Sequence, residues 1–188
     1  MQPVSKSVAV AVQGESRAYR ITREIFLVVG ASLFVALCAK VTLPLPFTPV
    51  PLSLQNFGVL LVGLLLGSRR GFAAMLLYLA QGAAGLPVFA AGSAGVLGPT
   101  GGYLLAYPVV ALLAGWLRER VQPSFARYAL ACVVAEIVLF AAGVSWLLVF
   151  FRSLAQAAAF GLYPFLAAEV LKVSAAAGIA ARWHKRIS

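Results

Sequence analysis

The sequence has little acidic charge and few charged residues of any kind. Only 5 of its 188 residues are Asp or Glu, whereas 15 are Lys or Arg, and the formal net charge is +10. Charged residues make up 11% of the chain, against roughly 25% in a soluble domain. So few charges cannot cover the exterior of a water-soluble domain of this length, and that class is excluded. Intrinsic disorder is excluded as well, because it requires low hydrophobicity.

Histidine and cysteine are equally scarce. The single histidine, His184, lies in the basic C-terminal tail, and the two cysteines, Cys38 and Cys132, lie inside apolar runs. Buried in such runs, cysteines pack as small hydrophobic residues. Neither a disulfide framework nor a metal-ligand spacing is present, so we expect no metal and no cofactor. A membrane-embedded catalyst that depends on histidine is also excluded.

Apolar residues, by contrast, are abundant. They form 62% of the chain, and the mean hydropathy is +0.96. The composition predicts an all-α integral membrane protein, with six runs that form transmembrane helices. These runs cover about residues 25–43, 54–66, 72–83, 103–117, 128–150 and 162–181. The predicted organisation is a cytoplasmic N-terminal segment (1–23), a six-helix transmembrane domain (24–181) and a basic cytoplasmic tail (182–188).

The basic residues support this count through their distribution. Basic residues favour the cytoplasmic side of a membrane protein. With six helices and both termini cytoplasmic, that side holds 12 of the 15: Lys6, Arg17, Arg20, Arg23, Arg69, Arg70, Arg118, Arg120, Arg127, Arg182, Lys185 and Arg186. Only Lys40, Arg152 and Lys172 remain for the outer side or the membrane. The positive charge therefore indicates topology, and we expect a lipid bilayer rather than nucleic acid as its partner.

Glycines and prolines mark the connections between the predicted helices. Residues 44–51 contain four prolines and are interpreted as an outer turn, because proline breaks a helix interior. Gly63, Gly67 and Gly71 recur every four residues, a spacing that permits close helix approach. Internal packing, or a turn at Gly67 and Gly71, is the preferred interpretation of that spacing over an interface with another chain.

The charges that lie inside predicted helices are candidates for function. Glu169 and Lys172 stand three residues apart, so they share one face near the outer end of the sixth helix. They form either a structural pair or a polar patch that lines a ligand cavity. For Glu136 we consider a structural role, snorkelling or paired with Arg127, at least as good as a functional one.

Four segments resemble the signature motifs of the BioY family, the biotin-specific S components of energy-coupling factor (ECF) transporters. They are residues 47–55, 66–71, 82–90 and 98–104. The resemblance implies an S-component-like six-helix bundle in the bacterial cytoplasmic membrane that captures biotin from outside. It also implies a transmembrane coupling (T) subunit and two ABC ATPase subunits as partners. No Walker motif occurs in this chain, so we expect a transport subunit and not an enzyme.

The resemblance also implies a set of binding residues. Family members carry an Asp three residues before a Lys on the sixth helix, and Glu169 and Lys172 occupy the matching positions here. The expected substrate-binding residues are Gln55, Phe89, Thr100, Gly101, Tyr103, Tyr163, Glu169 and Lys172. Glu169 would accept the ureido N–H groups of biotin, with Gln55 or Lys172 donating to the ureido carbonyl. Lys172 or the turn at 100–102 would hold the valerate. Small residues of the first helix are expected to contact the coupling subunit: Ala31, Ser32, Ala36 and Ala39.

Other functions remain open at the level of sequence. The chain could be an S component for another vitamin, or a carrier that transports biotin without ATPase subunits. An intramembrane hydrolase would need a nucleophile and a base in one cavity, for which Ser93 and Glu169 are the candidates. A purely structural membrane adaptor would leave the charges near the outer end of the sixth helix without explanation.

Overall fold

Helices form almost all of the regular structure. The computed structural model describes residues 4–187, with side chains described from residue 17 to residue 186. Its helices are α1 (Val4–Lys40), α2 (Gln55–Leu66), α3 (Ser68–Ala83), α4 (Gly101–Arg118), α5 (Phe125–Phe151), α6 (Leu154–Gly161) and α7 (Leu166–Ile187). Two short strands, β1 (Thr42–Leu43) and β2 (Leu52–Ser53), lie between α1 and α2.

The predicted all-α membrane fold is confirmed. Among the described residues, four helical stretches are long and apolar enough to cross a membrane: Arg17–Lys40, Gly101–Arg118, Phe125–Phe151 and Leu154–Arg186. The chain is thus a multi-pass membrane protein. The helices α2 and α3 have 12 and 16 residues and are shorter than these stretches. Six crossings and cytoplasmic termini stay predictions.

The last apolar run differs most from the expectation. Instead of one helix over 162–181, the run begins with a 3₁₀ turn at Tyr163–Phe165 and continues as α7 from Leu166, while α6 lies just before it, outside every predicted run. Pro164 lies in that turn, where it has no N–H to continue a helical ladder. The interruption places Glu169 in the first turn of α7. The break therefore places the charged pair at the start of a helix rather than in its interior.

The end of the bundle where α1 ends and α2 begins is called the hairpin end here. It comprises the hairpin of residues 41–54, the loop 84–100 and α6. The strands pair antiparallel, with Thr42 opposite Ser53 and Leu43 opposite Leu52. Thr48 Oγ1 donates to the backbone oxygen of Phe160 at 2.6 Å. This hydrogen bond therefore joins the proline-rich turn to α6.

The opposite end, called the arginine end, joins α2 to α3 and α4 to α5. Gly67 connects α2 and α3 with φ = +85°, a conformation that favours glycine. The Glu119 carboxylate accepts a hydrogen bond from the backbone N–H of Ser68 at 2.7 Å, which satisfies a free donor at the start of α3. A Cβ on Gly63 would lie 2.5 Å from the carbonyl oxygen of Ala111 in α4. These contacts confirm internal packing and a turn at Gly67 as the reason for the glycine spacing.

The small residues of α1 point into the bundle, contrary to the expectation of a surface that meets a coupling subunit. Ala31, Ser32, Ala36 and Ala39 are all buried, and Ser32 Oγ donates to Gln81 Oε1 of α3 at 2.6 Å. Small residues permit close approach by any neighbour, and here the neighbours are α2 and α3 of the same chain. The outward face of α1 instead carries larger apolar side chains: Phe26, Val29, Leu33 and Leu37.

Candidate ligand-binding site

A cavity lies at the hairpin end, between the hairpin, α2, α4, α5 and α7. It leaves about 60 Å³ of space for the centres of water molecules, enough for several of them. Part of its wall is apolar and comes from Leu104, Leu139, Phe140 and Phe165. Its polar lining includes Gln55, Asn56, Thr100, Tyr103, Glu169 and Lys172. A largely apolar pocket with a few convergent polar groups is typical of a small-molecule site.

The charged pair of α7 lies in the wall of this cavity. Lys172 Nζ is 2.7 Å from Glu169 Oε1, and the two residues are 7% and 8% exposed. Their i,i+3 spacing on one helix brings the charges together, as predicted from the sequence. Burial makes the loss of either partner costly, because the remaining charge is then left uncompensated.

Asn56 and Glu136 complete a network that the sequence interpretation missed. The Asn56 side-chain amide donates to Glu136 Oε1 at 2.6 Å and to Glu169 Oε2 at 2.9 Å. One amide thus bridges carboxylates from α5 and α7. The interpretation of Glu136 as a partner of Arg127 is wrong: among the residues whose side chains are described, the ion pairs are Arg70–Glu24 and Lys172–Glu169.

A sequence signal for Asn56 did exist. It is an uncharged polar residue that directly follows Gln55 at the start of an apolar helix. The sequence around it does not identify its hydrogen-bond partners. Only the packing of α2 against both α5 and α7 gives it two carboxylates to bridge. Glu136 stood alone in an apolar run, and nothing in its local sequence identifies Asn56, 80 residues away, as its partner.

Three buried polar atoms of this region have no hydrogen-bond partner within the described part of the chain. They are Gln55 Nε2, Asn56 Oδ1 and Glu136 Oε2. Gln55 is 2% exposed and is one of the residues that line the cavity, so its free donor belongs to the cavity wall. A buried polar atom without a partner costs about 1–3 kcal/mol. A ligand that accepts a hydrogen bond from Gln55 would recover part of that cost.

Five of the eight predicted binding residues line the cavity together: Gln55, Thr100, Tyr103, Glu169 and Lys172. They come from α2, the end of the loop 84–100, α4 and α7. Their contact with a ligand stays a prediction. Thr100 Oγ1 also bonds Ser93 Oγ at 2.9 Å. Ser93 is therefore hydrogen-bonded to another hydroxyl rather than to the general base that a hydrolase would need.

The other three predicted residues are not part of the cavity lining. Phe89 packs edge-to-face on Tyr78, with ring centroids 5.4 Å apart. A Cβ on Gly101 would lie 2.1 Å from the carbonyl oxygen of Val96, so this glycine permits a close approach of the loop to α4. Tyr163 is 64% exposed and lines an apolar groove between α5 and α7. Phe89 lines the cleft that adjoins the cavity rather than the cavity itself, and a contact of these three residues with a ligand stays a prediction.

The Tyr103 hydroxyl has a structural bond that can be tested. It donates to the backbone oxygen of Gly161 at 2.6 Å in a buried position and so joins α4 to α6. We expect Tyr103→Phe to lower stability by about 1–3 kcal/mol, because the carbonyl loses its partner away from water. The melting temperature of the purified protein in detergent measures this. Tyr163→Phe, at an exposed tyrosine, is the control and should leave the melting temperature unchanged; equal shifts in the two variants would contradict the prediction.

Comparison with known proteins assigns the chain to a family. The model of the BioY family matches residues 6–188. The chain belongs to the BioY family. Among the family's members, a probable biotin transporter BioY from Pyrococcus horikoshii is 39% identical over 155 residues, covering 80% of this chain and 91% of that protein. The biotin transporter BioY of Thermotoga maritima is 36% identical over 161 residues, covering 84% and 95%.

A solved structure agrees with this assignment to the BioY family. The crystal structure of the S-component for biotin from an ECF-type ABC transporter superposes with a TM-score of 0.79 at 25% sequence identity. The superposition covers 89% of this chain and 93% of that one. The helical arrangement described above is therefore that of an S component.

Proposed function

We propose that this chain binds biotin and serves as the substrate-specific subunit of an ECF-type ABC transporter for biotin uptake. The observation that carries the proposal is the cavity at the hairpin end, in which a buried Glu169–Lys172 pair and the free donor of Gln55 converge. Membership of a family whose curated members are named biotin transporters supports the same ligand.

The hydrogen-bonding groups of biotin match this lining. Its ureido ring presents two N–H donors and one carbonyl acceptor. Glu169 is suited to accept from the N–H groups, while Lys172 or Gln55 is suited to donate to the carbonyl. The apolar sulfur ring of biotin is suited to the wall formed by Leu139, Phe140 and Phe165. The site thus offers a complementary partner for each part of the ligand's bicyclic head.

The orientation and partners belong to the same proposal. We place the arginine end in the cytoplasm of a bacterial cell, because basic residues favour that side of the cytoplasmic membrane. The hairpin end and its cavity then face outward. This chain would work with a transmembrane coupling subunit and two ABC ATPase subunits. Since the small residues of α1 are buried, the exposed apolar face of α1 is the better candidate for the coupling contact.

A binding measurement tests the ligand. Titration of the purified protein with biotin is expected to give saturable binding, while thiamine and riboflavin at the same concentrations give none. Binding of another vitamin in place of biotin would refute biotin as the ligand.

An uptake assay tests the transport role. Cells that produce this chain with the coupling and ATPase subunits should accumulate labelled biotin, and an ATPase variant that cannot hydrolyse ATP should abolish uptake. Undiminished uptake with the inactive ATPase would instead identify a carrier that works alone.

A further inference from the structure

We propose that Lys40, at the C-terminal end of α1, binds the carboxylate of the ligand, and that the cleft beside it extends the binding cavity. This inference rests on the proposed function, because it assigns the anionic end of biotin. It concerns a residue that the sequence analysis assigned only to the outer side or the membrane. Three observations support it: the cations available, the continuity of the two cavities and the anchoring of the ammonium group.

The first observation is the shortage of cations at the hairpin end. Biotin is an anion, and its carboxylate lies at the far end of a flexible chain from the ureido ring. Lys172 is already held by Glu169 at 2.7 Å, within a network that contains the second carboxylate of Glu136. The network therefore has no positive charge in excess. Arg152, the other basic residue at this end, lines neither the cavity nor the adjoining cleft.

The second observation is that Lys40 borders a cleft adjoining the cavity. This cleft lies under the loop 84–100 and offers about 480 Å³ of space for the centres of water molecules. Ala90 and Ser93 line both it and the cavity. The hydroxyl groups of Ser93 and Thr100, 2.9 Å apart, stand at the junction. A chain that leaves the cavity past these hydroxyls enters the cleft that contains Lys40.

The third observation is that the Lys40 ammonium is positioned rather than extended freely into the surroundings. Lys40 Nζ donates to the backbone oxygen of Pro87 and, at 3.5 Å, to that of Phe89. An ammonium has three N–H donors, so these two bonds leave one for a ligand. The carbonyls hold the charge at the wall of the cleft without neutralising it. Lys40 forms no ion pair with any residue whose side chain the structure describes, so its charge is available to an anionic tail that enters the cleft.

Removing the charge from the protein and from the ligand in turn tests the assignment. The experiment measures the dissociation constants of biotin and of uncharged biotin methyl ester for the parent protein and for Lys40→Met. We expect the parent protein to bind biotin about 10-fold more tightly than the ester. This factor corresponds to the low end of the free energy contributed by a hydrogen bond to a charged group, because Lys40 is exposed to solvent. Lys40→Met should bind the two ligands equally, with its affinity for the ester unchanged.

Matched variants separate this role from a structural one. Lys40→Arg keeps a cation and should retain the preference for biotin, and Arg152→Gln should retain it as well. A preference that persists in Lys40→Met would overturn the assignment. A parallel loss of affinity for biotin and ester in Lys40→Met would also overturn it, since Lys40 would then only support the loop. If the parent protein binds neither ligand, the proposed function fails instead.

Discussion

Replacing Lys172 by methionine is expected to weaken biotin binding by about 10- to 150-fold. Methionine keeps the apolar stem but removes the ammonium that pairs with Glu169 at 2.7 Å. Loss of a hydrogen bond to a charged group costs about 1.5–3 kcal/mol, which converts to that range of affinity. In addition, Glu169 is left as a buried charge without its cation, so the protein should melt at a lower temperature. Titration calorimetry and a thermal melt in detergent measure the two effects.

A second lysine of the same helix provides the control. Lys185 lies in the last turn of α7, is exposed and lines no part of the cavity. Lys185→Met removes the same charge at the arginine end and should leave the affinity for biotin unchanged. The double variant Glu169→Gln with Lys172→Met should recover stability but not affinity, because the uncompensated charge is gone while the ligand contacts are still missing. Wild-type affinity in Lys172→Met would contradict a binding role for this pair.

Replacing Gly63 by leucine is expected to have the largest effect on stability. A Cβ at Gly63 would lie 2.5 Å from the carbonyl oxygen of Ala111 and 3.1 Å from its Cα. Both atoms belong to the backbone of α4, so no side-chain rotation can relieve the overlap. Overpacking of this kind costs about 3 kcal/mol, at the upper end of its usual range. Thermal unfolding in detergent should show a large decrease in melting temperature, with a reduced yield of folded protein.

The matched control is Gly30, a helical glycine that has open space around it. Apart from its chain neighbours and the backbone of its own helix, no described atom lies within 4 Å of a Cβ built at Gly30, which is exposed on α1. Gly30→Leu should leave stability unchanged or raise it by less than about 1 kcal/mol, because leucine is the better helix former. If both leucine variants melted at the same temperature, the close approach of α2 to α4 would not be the cause of the loss.

The helices were the most predictable part of the fold. An apolar run predicts a helix because every backbone polar group in a membrane must be satisfied within the segment. The run predicted at 54–66 corresponds to the helix Gln55–Leu66, and the run predicted at 103–117 corresponds to the helix Gly101–Arg118. In the last run, 162–181, the helix begins only at Leu166, because Pro164 lies in a 3₁₀ turn that separates it from α6, a helix the hydropathy did not predict. Hydropathy averages over such local breaks, so it cannot place them.

The binding residues were predictable only where their chemistry was visible locally. Glu169 and Lys172 stood out because two charges on one face of an apolar helix are rare and costly. Asn56 and Glu136 belong to the same network but lie 80 residues apart, and each has an ordinary structural interpretation by itself. Phe89 and Tyr163 matched the ligand's chemistry, yet Phe89 packs on Tyr78 and lines the adjoining cleft instead of the cavity, and Tyr163 is exposed on the bundle surface.

The sequence by itself determined that this protein is helical, resides in a membrane and carries a charged pair where apolar residues are expected. Those properties follow from composition, from helical periodicity and from motifs contained within short segments. Only the tertiary structure decided which helix faces meet. It turned the small residues of α1 inward, joined Glu136 to Glu169 through Asn56 and placed Lys40 beside a cleft that adjoins the cavity. Such outcomes depend on contacts between distant segments, and local sequence does not specify which partner a buried face will have.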